Sequence, residues 1–328
     1  MKKIFALAIA AVALTVGCQK AQNPVNPETP VDENELVEIK FSTNITTVET
    51  KTVTSLEGLK LMVYGQNITT PAKRSFYDEA TAGVPDQGVV DLTFADTTYY
   101  YNGNNDKYNF YGYYLDGATT IEGADTLSAT NQATTVKING KNDILLAQAD
   151  ENGTYCGAKA RDGENPHLTF RHAMSQLKFG AVNLGGSTLS LSAITVQTDT
   201  SGTINVADTL AVAVAGLGDF DLPMTALNLD SFSGTPTESD YEEVTTDGST
   251  ESELIIFPGA SSNVLTLELK QGSDTRKLQY TMTQTFKAGH SYKLLIKLYS
   301  LEEIEITASL TDWTVETIEI DTDSAIEL

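Results

Sequence analysis

The sequence predicts an all-β protein of two tandem β-sandwich domains, and three observations carry that prediction. Apolar residues recur at every second position over most of the chain, the period of a strand with one buried face. Thr and Val are abundant in these runs, and Gly, Asn and Asp punctuate them at short intervals, as in sheets joined by tight turns. No long stretch repeats at 3.6 residues, so helices can supply little of the core. At 328 residues, and with domains of roughly 150 residues each, the chain has room for two such units.

The elements follow in order. Lys2 and Lys3 precede an apolar run from Ile4 to Val16, then Gly17 and Cys18. A charged start, a short apolar stretch and a small residue before a cleavage point make residues 1–17 a signal peptide, too short to span a bilayer comfortably. Thr15-Val16-Gly17-Cys18 resembles a bacterial lipobox, although Leu14 sits one place earlier than the usual Leu. Cys18 is therefore the expected lipidation site. An ordinary secretory signal with an incidental cysteine is the rival reading. Residues 18–35 form the lipidated tether: Pro24, Pro27 and Pro30 are evenly spaced among Asn and Glu, a composition unable to bury enough apolar surface to fold.

The first sandwich is expected over 36–160 and the second over 161–328. Val37, Ile39 and Phe41 share one face of the opening strand, and Leu59, Leu61 and Val63 repeat the pattern. The first block closes on the apolar run Ile144-Leu145-Leu146-Ala147. The charged, Gly-containing stretch 151–165 is the expected crossing, and Leu168-Thr169-Phe170 opens the second block. Alternation then marks Leu265 to Leu269, Tyr292 to Leu298 and Ile304 to Leu310. Residues 231–253, rich in Ser, Thr, Asp, Glu and Gly, are expected as a mobile loop, and short helical turns are expected around Asp125 to Gln132.

Composition excludes several functions. With 44 Asp+Glu against 21 Lys+Arg the formal charge is −23, so no basic patch is available to neutralise a nucleic-acid backbone. Two Cys make neither a disulfide framework nor a Cys-rich zinc site, and three His leave little for metal or base chemistry. No activating environment surrounds Cys156, a spectator. His172 lies near Ser175, but no acid completes a triad at a recognisable motif. The carboxylate neighbours Glu242-Glu243 and Glu302-Glu303 show no cleft-forming spacing, and no motif calls for a cofactor or metal. The expectation is a non-enzymatic protein.

The most conspicuous local feature is aromatic. Seven of the 14 Tyr fall between Tyr99 and Tyr114. Aromatic faces with polar tips suit sugar stacking, which makes Tyr100 and Tyr113 glycan-contact candidates; cross-strand packing is the structural alternative.

The C-terminus is more telling. Ile318, Ile320, Ile326 and Leu328 fall at even positions, and the odd face is polar apart from Ala325. Residues 315–328 thus make a strand with one apolar face, able to complete a sheet in its own molecule or to be donated to a neighbour's. Burying its four aliphatic side chains is worth at most ~1.5–3 kcal/mol each. The N-terminal strand is its counterpart. Cleavage at Lys51, within Thr-Val-Glu-Thr-Lys-Thr, would release that strand and leave an apolar groove.

Taken together, these elements resemble the fimbrillins of Bacteroidetes, the subunits of type V pili. The resemblance is carried by Lys107-Tyr108-Asn109-Phe110-Tyr111-Gly112-Tyr113-Tyr114, by Asn142-Asp143-Ile144-Leu145-Leu146-Ala147 and by Leu168 to Phe179. It continues through Phe286-Lys287-Ala288-Gly289-His290-Ser291-Tyr292-Lys293-Leu294, leading to Asp312-Trp313. It implies two transthyretin-like sandwiches, export as an outer-membrane lipoprotein, and removal of an N-terminal strand by a maturation protease. Insertion of a C-terminal strand into the next subunit of a surface fimbrium follows from it. The family's cleavage site commonly has Arg, and Lys51 occupies the corresponding stretch. The partners implied are other fimbrillin subunits, the protease, a lipid anchor before assembly, and a host or bacterial surface ligand.

Overall fold

A computed structural model describes residues 36–45, 55–86, 89–116, 120–122, 132–149, 153–207, 212–248, 250–259, 263–311 and 326–327. Nearly all its regular structure is strand, as the alternation predicts. Among the described residues the helical elements are Gly157–Arg161 and the 3-10 turn Glu238–Asp240. The turns expected around Asp125 to Gln132 lie outside the described residues, apart from Gln132.

Where the sequence leads one to expect a sandwich, the first sheet goes further and closes on itself. Seven strands hydrogen-bond in a ring, in the order Phe41–Ile45, Val90–Phe94, Phe76–Ala82, Lys60–Asn67, Tyr108–Leu115, Ile144–Ala149 and His167–His172. Ile39, Phe41, Leu61, Val63, Phe110, Leu145 and Phe170 fill it. The stretch Leu168-Thr169-Phe170 therefore ends the first sheet instead of opening the second block. Its pairing partners, Leu145 to Ala149 on one side and Ser42 to Ile45 on the other, are distant in sequence and leave no local mark.

Beyond the ring, two sheets face each other across one core. In the smaller, Ser175–Asn183 runs parallel to His290–Leu298, which pairs antiparallel with Ile304–Thr311. In the larger, Asn263–Gln271 lies between Asp274–Met282 and the long strand Leu189–Asn205. Leu265, Leu267 and Leu269 meet Phe179, Leu294 and Ile296 in the shared interior, on the faces the alternation assigns to the core. Ala133–Lys137 also joins the larger sheet, against residues 201–205. Residues 231–253, expected as a mobile loop, are instead pinned. Tyr241 and Val244 are buried, and Thr237 caps the 3-10 turn reciprocally with Asp240.

Two strands of the ring serve both cores. On Tyr108–Leu115, Tyr108 and Phe110 point into the ring while Tyr111 and Tyr113 point into the sandwich core. On Ile144–Ala149, Leu145 and Ala147 face one way and Ile144 and Leu146 the other. A strand covered on both sides has no use for alternation, which explains the unbroken apolar run. Gly112 is required here, because a Cβ would stand 2.7 Å from Cζ of Phe170. At the exit from the ring, His172 Nδ1 and Asp143 Oδ2 lie 2.5 Å apart, both buried. Ala173 N donates to Ile144 O beside them. This pair orients the chain as it passes from ring to sandwich.

Leu146→Ala should therefore cost ~2–5 kcal/mol, read as a lower urea midpoint, whereas the exposed Glu57→Ala should stay within about 0.5 kcal/mol of the parent.

Candidate functional site

The strand that closes the ring is also the first strand among the described residues. Phe41–Ile45 pairs antiparallel with Val90–Phe94, Phe41 opposite Leu92 and Thr43 opposite Val90. On its other edge it pairs parallel with His167–His172, Ser42 opposite His167 and Ile45 opposite Phe170. The segment just before it turns to a third partner: Ile39 N donates to Tyr99 O at 2.8 Å, and Tyr101 N donates to Val37 O at 2.9 Å. Between these two pairings a cavity of about 300 Å³ opens, walled by Glu38 to Phe41, Asp91 to Phe94 and Thr97 to Tyr99.

Side chains hold the strand as firmly as the ladder does. Ile39, Phe41 and Thr43 point inward and are buried. The Phe41 ring meets Phe110 edge-on at 5.1 Å, Phe94 at 6.0 Å and Phe76 at 6.2 Å, geometries that add to the hydrophobic term. Thr43 Oγ1 donates to Leu168 O at 2.6 Å, so a polar residue on the inner face is satisfied. Ser42 Oγ lies 2.9 Å from His167 Nδ1 on the outer face. Burial of Ile39 and of Phe41 contributes ~1.5–3 kcal/mol each, and net ladder bonds about 0.5–1.5 kcal/mol each. The segment is thus a plug. Without it, Val90–Phe94 and His167–His172 would be open edges flanking an aromatic groove.

Other sequence-derived candidates fall variously. Cys18, Lys51, Ile318, Ile320 and Leu328 lie outside the described residues. Of the terminal strand, Ile326–Glu327 is described; it pairs antiparallel with Asp274–Met282, Glu327 opposite Leu278 and Ile326 opposite Gln279. Cys156 is fully buried, just before the short helix. Asp143, which sequence reasoning did not link to His172, is its close partner, whereas Ser175 Oγ donates to Lys287 O at 2.8 Å. No nucleophile arrangement results. The role of Phe76, Phe94 and Tyr99 in gripping the first strand was also missed, since only non-local pairing brings them to it.

The aromatic cluster needs a correction. Tyr113 is 3% exposed, and its hydroxyl bonds that of Tyr77, so it has no face to offer a sugar. Tyr101 and Tyr108 are likewise buried; the Tyr108 hydroxyl accepts from Asn102 N at 3.1 Å and binds the turn ahead of its own strand. Tyr100 is half-buried and bridges to Glu38 through its backbone. Burial pushes the hydroxyls of Tyr101, Tyr108, Tyr111 and Tyr113 above the ordinary tyrosine value. It pushes that of Tyr99 up to about 12, helped by its hydrogen bond to Asp78.

With this geometry in view, comparison with known proteins is informative. A family model described as fimbrillin-like matches residues 46–313. No curated protein matches the chain. A crystal structure of a candidate cell adhesion protein from Bacteroides uniformis superposes with a TM-score of 0.52 at 18% identity, covering 85% of this chain and 98% of its own. A second, from Bacteroides ovatus, gives 0.51 at 16% identity, with 86% and 99% covered. At these identities the likeness is one of fold.

Two outcomes follow from the site. Phe41→Ala should cost ~3–5 kcal/mol and speed amide exchange in the first strand, measured by hydrogen-exchange mass spectrometry. The tyrosines give a pH dependence: their folded-state values are raised, so the stability they confer is intact below about 10, the unfolded value. It is lost as pH climbs toward about 12 for Tyr99. The melting temperature should fall over that window, and a tyrosine absorbance titration should lag that of the unfolded chain.

Proposed function

The chain belongs to the fimbrillin-like family, and from that premise we propose that it is a structural, adhesive subunit of a cell-surface pilus. It is exported as a lipoprotein through Cys18, tethered to the outer membrane by 18–35, and assembled after proteolysis at Lys51. Residues 36–160, together with the strand His167–His172 that completes their ring, act as the accepting unit, and the end of 161–328 supplies the donor. The proteolytic step frees the first strand, and residues 315–328 of a neighbouring subunit, with Ile318, Ile320, Ile326 and Leu328 on one face, take its place. Its partners are other fimbrillin subunits, a maturation protease and, at the finished surface, a host or bacterial ligand. No catalytic step is part of this reading.

One observation carries it. Phe41–Ile45 is the one strand of the ring that precedes Lys51, and both of its edges are held by strands that follow Lys51, namely Val90–Phe94 and His167–His172. Cutting between them separates the plug from its groove covalently while leaving the other six strands of the ring on one chain. The groove asks for what the plug supplies, an alternating strand with apolar residues at every second position, and the C-terminus has that pattern.

Trypsin treatment of lipid-free protein should yield a discrete truncation near Lys51, followed by polymers stable in mild denaturant. Lys51→Ala should block the cut, and deletion of 315–328 should stop polymers while leaving the cut. Truncated protein that stays monomeric, with the deletion altering monomer stability alone, would sink the strand-exchange reading.

A further inference from the structure

The sandwich carries a second concave site, unrelated to the first strand. Ser175–Asn183 starts just after His172 at the ring junction and runs parallel to His290–Leu298. Asn183 and Leu298 therefore lie at the pole remote from the ring. A pocket of about 540 Å³ opens there between the 184–186 turn, the 231–236 segment, Lys297 and Tyr299. That volume lies in the range of small-ligand sites.

Its walls are built, not left over. Asn183, 1% exposed, donates from Nδ2 to Ser187 O at 2.8 Å and Leu229 O at 3.0 Å, and accepts from Gly185 N at 2.9 Å. Its carbonyl accepts from Phe232 N at 2.7 Å, and Ser231 Oγ donates to Gly185 O. Gly185 is obligatory: a Cβ would stand 2.2 Å from Tyr299 O. One buried side chain thus fixes both loops that frame the pocket, the preorganisation that low-affinity ligands need.

The lining has a distinct chemistry. Phe232 packs against the satellite cluster of Val182, Tyr241 and Leu295, and it and Tyr299 are half-exposed where they line the pocket. The hydroxyl-bearing Ser233 and Thr235 are exposed beside them. Among the described residues, Lys297 is the one charged residue in the lining and no carboxylate lines it, on a chain with 44 acidic residues. Aromatic faces are electron-rich and meet the C–H face of a pyranose ring, while hydroxyl and amide groups at the edge match its oxygens. An extended peptide would instead need an open strand edge, and no strand edge lines this pocket.

We propose that this pole of the sandwich binds a pyranose unit of a glycan, stacked on Phe232 or Tyr299. The site would give the subunit adhesive capacity of its own, and it stands whether or not subunits exchange strands. It also moves sugar recognition away from Tyr113, which is buried.

The test is saturation-transfer NMR on the full chain, as a monomer, with methyl glycosides of neutral and carboxylated pyranoses. At least one should bind, with Kd on the order of 1 mM. Tyr299→Ala should weaken that sugar about tenfold or more. Gly186→Trp fills the pocket from a position where an added Cβ meets nothing within 4 Å, so it should abolish binding without lowering the melting temperature. If no sugar of the panel binds, or binding survives Gly186→Trp, the proposal is overturned.

Discussion

Everything in the first half of the molecule depends on one constraint: a closed ring of strands has no edge, so each member must satisfy main-chain partners on both sides. Six of the seven strands come from Lys60 onward. The seventh, Phe41–Ile45, is supplied by the N-terminal side of the described fold and makes the ring's one parallel pairing, with His167–His172. Closure therefore rests on an element whose covalent link to the remainder runs through one segment, 46–54. The interior is aromatic where that strand lies. Phe41 sits among Phe76, Phe94 and Phe110, and Tyr99 stacks on Phe76 with centroids 3.8 Å apart. Removing a single element would thus expose both an apolar groove and two lines of hydrogen-bonding groups, the combination that selects another strand over any other ligand.

The ring transmits that arrangement to the sandwich through shared strands. Tyr108–Leu115 and Ile144–Ala149 place alternate side chains in each core, so neither core can be assigned to one half of the chain alone. The buried Asp143–His172 contact and the hydrogen bond from Ala173 N to Ile144 O lie where the chain crosses. A polar pair in an apolar junction fixes orientation more than it adds stability. Shared strands tie the packing of one core to that of the other.

Much of this was legible in the residues. The alternation of Leu265 to Leu269 and Tyr292 to Leu298 named the inward side chains correctly, because each strand has one buried and one wetter face. Val37, Ile39 and Phe41 were legible for the same reason. The run Ile144 to Ala147 was visible as a strand, but not as one buried on two sides. Leu168-Thr169-Phe170 was placed with the wrong sheet because its partners lie more than a hundred residues away in one case and are parallel to it. Tyr113 failed as a ligand contact since a tyrosine facing a core and one facing solvent have the same neighbours in sequence. Residues 231–253 look unstructured by composition, yet Tyr241 and Val244 anchor them, and no periodic signal accompanies two isolated anchors. The pocket near Tyr299 was equally invisible, being assembled from three separate segments around Asn183.

In the proposed assembly the first strand is a replaceable plug. This is tested most directly by native mass spectrometry of the chain carrying a unique protease site within 46–54. After cutting, the account predicts that the N-terminal fragment stays bound without a covalent link. It further predicts that a synthetic peptide of residues 315–328 displaces it one for one. If the folded remainder keeps the fragment against any excess of that peptide, or releases it and takes up no peptide, the account is contradicted.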